Sequence, residues 1–213
     1  MASDLTRVGA NIQALQSLIS LSKINERIGL HQMRLATGKK INSAAEDPAG
    51  YQISRSLESR KRGLTVALAN VGSAKNVMNI AEGGYQTIMD LLQTIKEKAT
   101  QASDVALSST QRSAINDQVS ALISEIDAIV NETTFNGVNL IDGSYTSKAF
   151  HTGEAATNEL TVTLGGADSA DLSINSVNVS TAASASAAIS TVSSAIDTLA
   201  SRIQDVGEYK SRF

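Results

Sequence analysis

A seven-residue repeat runs through the middle of this chain and limits what it can become. One line is Leu57, Leu64, Val71, Met78, Tyr85, Leu92 and Ala99. Three residues after each stand Arg60, Ala67, Ala74, Ala81, Ile88, Ile95 and Ala102. This spacing keeps a narrow apolar seam on one side of an α-helix, and such a seam needs partner helices along its length. A helix from Pro48 to about residue 103 would be roughly 80 Å long. Gly83-Gly84 falls inside it, so the expectation is a continuous helix with local softness. Aromatic residues make up only 3% of the chain and Trp is absent. The apolar content is Ala, Leu, Ile and Val, which suits thin bundles because Ala lets helices approach closely.

Helical spacing recurs elsewhere. Leu5, Val8, Ile12, Leu15 and Ile19 step by 3, 4, 3 and 4. After a phase shift near Leu18–Leu21 the line resumes at Ile24, Ile28, His31 and Leu35. Gly38 can end this helix. Pro48 is the only proline, and Asp47-Pro48 is a helix-start signal: Asp as N-cap, Pro at the first helical position. Residues 36–47 therefore read as a connector. Beyond the long helix, Ser108-Ser109-Thr110 offers a cap for another, with Ile115, Val119, Leu122, Ile126 and Ile129 on its apolar line and its end near Asn131. Asn136-Gly137 signals a tight turn, and the alternation in ELTVTLGGADSADLSINSVNV predicts a short β-hairpin region over about 135–180. The Ser/Ala-rich STAASASAAIS could be a linker alone, but it leads into Ile189, Val192, Ile196, Leu199, Ile203 and Val206. Phe213 stands one heptad past Val206.

The expected fold is mainly α: a long antiparallel helical bundle over about 45–213, with a small β-hairpin region at one end. The first helix is left with no partner in its own chain. An exposed, unpartnered seam is built to associate. Spacing alone leaves two outcomes open, a coiled-coil dimer and a self-assembling rod or tube.

Catalytic chemistry finds no support. There is no cysteine, and the two histidines, His31 and His151, lie far apart. No GxGxxG, P-loop, HExxH or GxSxG pattern occurs. Glu46-Asp47 is a carboxylate pair in a turn, a capping arrangement rather than a metal site. Asn131 and Asn178 match the N-glycosylation pattern by spacing only. No catalytic, cofactor-binding or metal-binding residue is expected. Residues 1–62 hold 10 Lys/Arg and 5 Asp/Glu, against 8 and 16 in the remainder. The basic part lacks long runs and interleaved aromatics, so it reads as solvated helix faces or contacts to an acidic neighbour, not a nucleic-acid site. No apolar stretch is long enough to insert into a membrane, and MASDLTRVGANIQALQ lacks the pattern of a secretory signal peptide.

Several stretches are specific. RLATGKKINSAAEDPAGYQIS (34–54) resembles the N-terminal signature of bacterial flagellin, of the form RLSSGxRINSAxDDAAGxxI. TTFNGVNLIDG (133–143) resembles the family's TxFNGxxLL segment, and LTVTLGG (160–166) the strand after it. SAIDTLASRIQDVGEYKSRF (194–213) is similar to the first return helix, with its LGAxxNRF-like end. The resemblance implies a subunit of the extracellular flagellar filament that self-assembles into a helical tube for motility. Residues 1–35 would be the inner-tube helix, 36–47 the spoke and 48–213 the outer-tube domain. The subunit contacts would include Leu5, Val8, Ile12, Leu15, Ile19, Ile24, Ile28 and Leu35, with Gly38, Asp47 and Pro48 shaping the connector. Export unfolded through the flagellar type III apparatus, and general lack of cysteine, also follow from the family.

Two departures from the pattern stand out. The family's chains continue into a further helix that pairs with the N-terminal one, and the resemblance expects it after Phe213. That segment is also where the family's export chaperone binds, which leaves chaperone binding in question here. The family's Toll-like-receptor patch has the form LQRxRELAVQA with a Glu in the next helix. Here LQTIKEKATQA (92–102) places Thr94 for the Arg and Lys98 for the Leu, and Gln118 stands for the Glu. Weak recognition by that receptor is therefore expected. The competing readings are a hook–filament junction protein and a secreted immune-active or adhesive module on the same frame.

Overall fold

Asn11 opens the first helix by accepting the Ala14 N–H on its side-chain oxygen at 3.2 Å. The computed structural model describes residues 11–213. Its helices are α1 (Ile12–Thr37), α2 (Pro48–Ala102), α3 (Ser109–Glu132) and α4 (Ala182–Arg212). Between α3 and α4 lie strands β1 (Thr134–Phe135), β2 (Val138–Asn139), β3 (Lys148–His151) and β4 (Glu159–Val162). They form two antiparallel hairpins, β1–β2 and β3–β4. The mainly α architecture read from the heptads is what the structure shows. The chain divides into two units within α2, one up to Arg62 and one over Gly63–Phe213.

The second unit holds the core. α2 contributes Ala67, Ala74, Val77, Met78, Ala81, Tyr85, Ile88, Leu92, Ile95, Ala99 and Ala102 to it. Seam burial thus starts at Ala67, while Leu57 and Leu64 remain exposed. Each fully buried Leu or Ile contributes about 1.5–3 kcal/mol relative to exposure. α3 begins with a reciprocal capping box between Ser108 and Gln111 and buries Ile115, Val119, Ile126 and Val130. The short α2–α3 connection turns the chain back. Arg112 in α3 donates through Nε to the Ala102 carbonyl at 2.9 Å and so satisfies the end of α2. At the other end Gly84 of α2 lies against Thr133, so the two helices run antiparallel.

α4 starts at a second capping box, Thr181 with Ser184. The Ser/Ala-rich stretch is therefore helix, not linker. Just before α4 the Val179 N–H donates to Asn116 Oδ1 at 2.9 Å, by the α2–α3 turn, and near its end Lys210 pairs with Glu82 at 2.5 Å, so α4 runs antiparallel to α2. Within α4 the deepest line is Ala185, Ala188, Val192, Ala195, Leu199 and Val206. Ile189, Ile196 and Ile203 flank it and are only partly buried. On α4 alanine shares the deepest positions with Val192, Leu199 and Val206, while α2 and α3 bury Tyr85, Met78, Ile88, Leu92, Ile95 and Ile126 fully.

Asn136 and Gly137 both take positive φ (50° and 77°), the two-residue turn that joins β1 to β2. The second hairpin is in register from Lys148↔Val162 to His151↔Glu159. Strand pairing ends there. Gly165-Gly166 interrupts it, and Asp168 accepts the Asp171 N–H at 2.6 Å in a side-chain-stabilised turn. The alternation read from 163–179 survives only as burial of Leu164, Leu172, Ile174 and Val179 in turns. Gly83-Gly84 leaves α2 unbroken. A Cβ on Gly84 would lie 3.0 Å from Ile141 Cδ1 and 2.9 Å from Thr133 Oγ1, so this glycine permits a close approach.

Candidate assembly interface

None of the 26 residues of α1 is buried. Ile12, Leu15, Ile19, Ile24 and Ile28 are 48–62% exposed, and Leu35 is 84% exposed. Leu18, Leu21 and Met33 are exposed as well. His31 is also exposed. Leu5 and Val8 lie outside the described residues. α1 runs unbroken through the phase shift, so its two apolar lines emerge on different sides. At 100° per residue, Ile12/Leu15/Ile19 and Ile24/Ile28/Leu35 are centred roughly 160° apart. A helix with no buried side chain gains little from packing and depends on propensity alone.

The connector is built by local polar bonds. Gly38 caps α1 at φ 65°, ψ 11°, a left-handed conformation that glycine adopts without strain. Thr37 Oγ1 donates to Asn42 Oδ1 at 2.7 Å, and Asn42 Nδ2 to the Lys39 carbonyl at 3.2 Å. Arg34, in the last turn of α1, pairs with Glu46. The other oxygen of Glu46 accepts the Asn42 N–H at 3.2 Å. The Arg34 bond first, then that N–H, hold the Glu46 carboxyl below the usual carboxylate range. Asp47 accepts the Gly50 N–H at 2.9 Å, which makes it the cap of α2, with Pro48 in the first helical position. Gly50 is itself constrained: a Cβ there would sit 2.7 Å from Ile41 Cδ1 and collide with the Asp47 carboxylate. The two carboxylates thus do different work, one tying the connector to α1 and one starting α2.

The three altered receptor positions lie on the other unit. Thr94 is partly exposed and returns its hydroxyl to the Asp90 carbonyl at 3.0 Å. Lys98 is partly exposed one turn on, and Gln118 is exposed on α3. The antiparallel pairing of α2 with α3 sets Gln118 near the level of Lys98.

Sequence reasoning named the cap and the breaker but missed the Arg34–Glu46 pair, twelve residues apart, and the contact that fixes Gly50. The signal for the first was an Arg in the last turn of one helix and a Glu just before the next. Among the described residues no cluster of His, Asp and Glu could hold a metal ion, and no helix is long and apolar enough to cross a membrane.

Residues 8–146 match the model of the bacterial flagellin N-terminal helical region. Flagellin B of Vibrio cholerae is 37% identical over 146 residues, which cover 68% of this chain and 39% of the relative. The chain thus spans about two-fifths of the length of such relatives. Flagellin FlaB1 of Treponema pallidum is 28% identical over 221 residues, covering 96% of this chain and 77% of that protein. Among solved structures, Bacillus cereus flagellin shares the fold at a TM-score of 0.61 and 20% identity, over 67% of this chain and 82% of that one. With more than half of its length matched by the helical region that defines the family, the chain belongs to the bacterial flagellins.

Proposed function

We propose that this chain is a structural subunit of the bacterial flagellar filament and assembles with copies of itself into an extracellular helical tube. The observation that carries this reading is α1, with two apolar lines on opposite sides and no buried residue. A single seam is served by one partner, as in a coiled-coil dimer. Two opposed lines call for two neighbours, and repeated heterologous contacts give an open helical polymer. In this reading residues 1–35 form the inner-tube helix, 36–47 the spoke and 48–213 the outer-tube domain. Its role is structural, without catalysis or cofactor, and export runs through the flagellar type III apparatus.

The test is electron microscopy of the purified chain after salt-induced assembly, alone and with preformed flagellar seeds. Tubular filaments, or growth of the seeds, are expected. A folded helical monomer that does neither would overturn the proposal. Within the same reading, Thr94, Lys98 and Gln118 make the chain a weak ligand for the flagellin-sensing Toll-like receptor. They replace a charged donor, an apolar anchor and a charged acceptor, the residue types that dominate binding energies. Full signalling in a reporter-cell assay at nanomolar protein would sink that part.

A further inference from the structure

Val105 is 85% exposed, the highest value among the exposed large apolar side chains of the described residues. It stands in the turn over 103–108 that joins α2 to α3. Exposure there is not looseness. The Asp104 carbonyl accepts Arg112 Nη2 at 2.6 Å and the Leu107 N–H at 3.3 Å. Asp104 Oδ1 accepts the Ala106 N–H at 3.0 Å, and Leu107 packs against the core. Bonds on both sides of Val105 thus fix the tip, while its own side chain faces solvent. A turn is best served by Gly, Asn, Asp or Ser, so the turn itself does not call for Val. A β-branched side chain on a fixed backbone loses little freedom when a partner covers it.

A depression of complementary character lies where the connector meets the start of α2. Ile41 and Leu57 line this shallow hollow of about 390 Å³, and Leu57 is 58% exposed. Lys39 and Lys40 stand on its rim. Lys39 lies 3.9 Å from Glu58, whereas Lys40 has no ion-pair partner among the described residues. The tip is an apolar side chain beside the exposed carboxylate of Asp104. The depression is an apolar floor beside an exposed ammonium. An apolar anchor in a hollow, with opposite charges at the edge, is the usual make-up of a specific protein contact.

We infer that Val105 of one copy of this chain seats in the depression at Ile41 and Leu57 of a second copy, which brings Asp104 beside Lys40. The inference rests on the filament reading and names one of its contacts. Tip and depression are different surfaces of the chain, so the contact is heterologous. Each copy gives its tip to one neighbour and its depression to another, and the contact repeats along a polymer. Burial of Val105 supplies the attraction, and the charge pair at the edge fixes the register.

The chain has no cysteine, so an introduced pair reports a single contact. Whole-chain variants Val105→Cys and Leu57→Cys are mixed under assembly conditions and gently oxidised. A disulfide forms only where the two Cβ atoms come close. The dimer linking the two variants should form at least about tenfold faster than a dimer of Val105→Cys with Leu68→Cys, a pair the contact does not bring together. A double variant, Val105→Cys with Leu57→Cys, should give a ladder of linked copies. Without any cross-link, Val105→Ser and Leu57→Ser should each weaken association at least about tenfold in sedimentation velocity. Both side chains are exposed, and circular dichroism confirms that the variants are folded. A Val105–Leu57 link no faster than the Leu68 control would overturn the inference. So would Leu57→Cys linking instead to Ile19→Cys, which would give the depression to α1 of the neighbour. Microscopy of the same samples with seeds separates the two claims. Filaments without the Val105–Leu57 link would remove this contact and leave the filament reading standing. The link and its ladder, with no filaments from any sample, would remove the filament reading instead.

Discussion

The Tyr85 hydroxyl donates to the carbonyl of Gly165 at 2.6 Å, joining α2 to the segment that follows β4. Tyr85 is fully buried, and burial pushes its phenol well above the ordinary range, so it stays a donor at any working pH. Phe at this position keeps the ring and leaves the carbonyl unpaired. Tyr85→Phe should cost about 1–3 kcal/mol. Urea denaturation checks it: the midpoint should fall with the slope unchanged.

The neighbouring glycines of α2 should respond in opposite directions. A Cβ on Gly83 meets nothing within 4 Å beyond its own turns of helix, whereas one on Gly84 meets Thr133 and Ile141. Gly83→Ala should stabilise by about 0.5–1 kcal/mol, since it relieves the helical cost of glycine. Gly84→Ala should destabilise by about 1–3 kcal/mol through overpacking. Thermal melts of the two variants side by side decide this.

Glu46 predicts a pH dependence confined to the connector. Its carboxyl lies below the ordinary 4.5 in the folded chain because Arg34 and the Asn42 N–H favour the charged form. Its stabilising effect is therefore present above the ordinary value and lost as pH falls through the lowered one. Hydrogen exchange should show the Asn42 amide losing protection over that acid range. In Glu46→Gln the protection should be lower at neutral pH and flat across the same range.

Substitutions on α1 should separate folding from assembly. Ile19→Ser with Ile28→Ser removes one residue from each exposed line and touches no buried side chain. The melt of the bundle should shift by less than about 0.5 kcal/mol. The protein concentration needed for filaments should rise at least tenfold, measured by pelleting.

Much of this was legible because heptads, caps and turns are local signals. Ser108, Asp47-Pro48 and Asn136-Gly137 each stand where the chain changes element. What failed to show was set by distant neighbours. Leu57 and Leu64 obey the same repeat as Leu92 but remain exposed, because a repeat does not say where its partner stops. On α4 the line read from the sequence was half right: Val192, Leu199 and Val206 are buried, whereas Ala185, Ala188 and Ala195 take the deep positions in place of Ile189, Ile196 and Ile203. Gly84 read as a weak point from propensity alone, since Thr133 and Ile141 come close only in the fold. The residues after Val162 alternate like a strand, yet two glycines and an Asp-stabilised turn outweigh that pattern.

The buried alanines of α2 and α4 also bear on how such a chain can drift. Ala67, Ala74, Ala81, Ala99 and Ala102 on α2, with Ala185, Ala188 and Ala195 on α4, set the spacing between helices. A larger side chain at a fully buried position among them, such as Ala74, Ala81, Ala99 or Ala102, meets close-packed neighbours and forces them to shift. The serine- and threonine-rich outside carries no such restraint. Over generations substitutions should collect on the exterior, while the smallest side chains in the molecule change least.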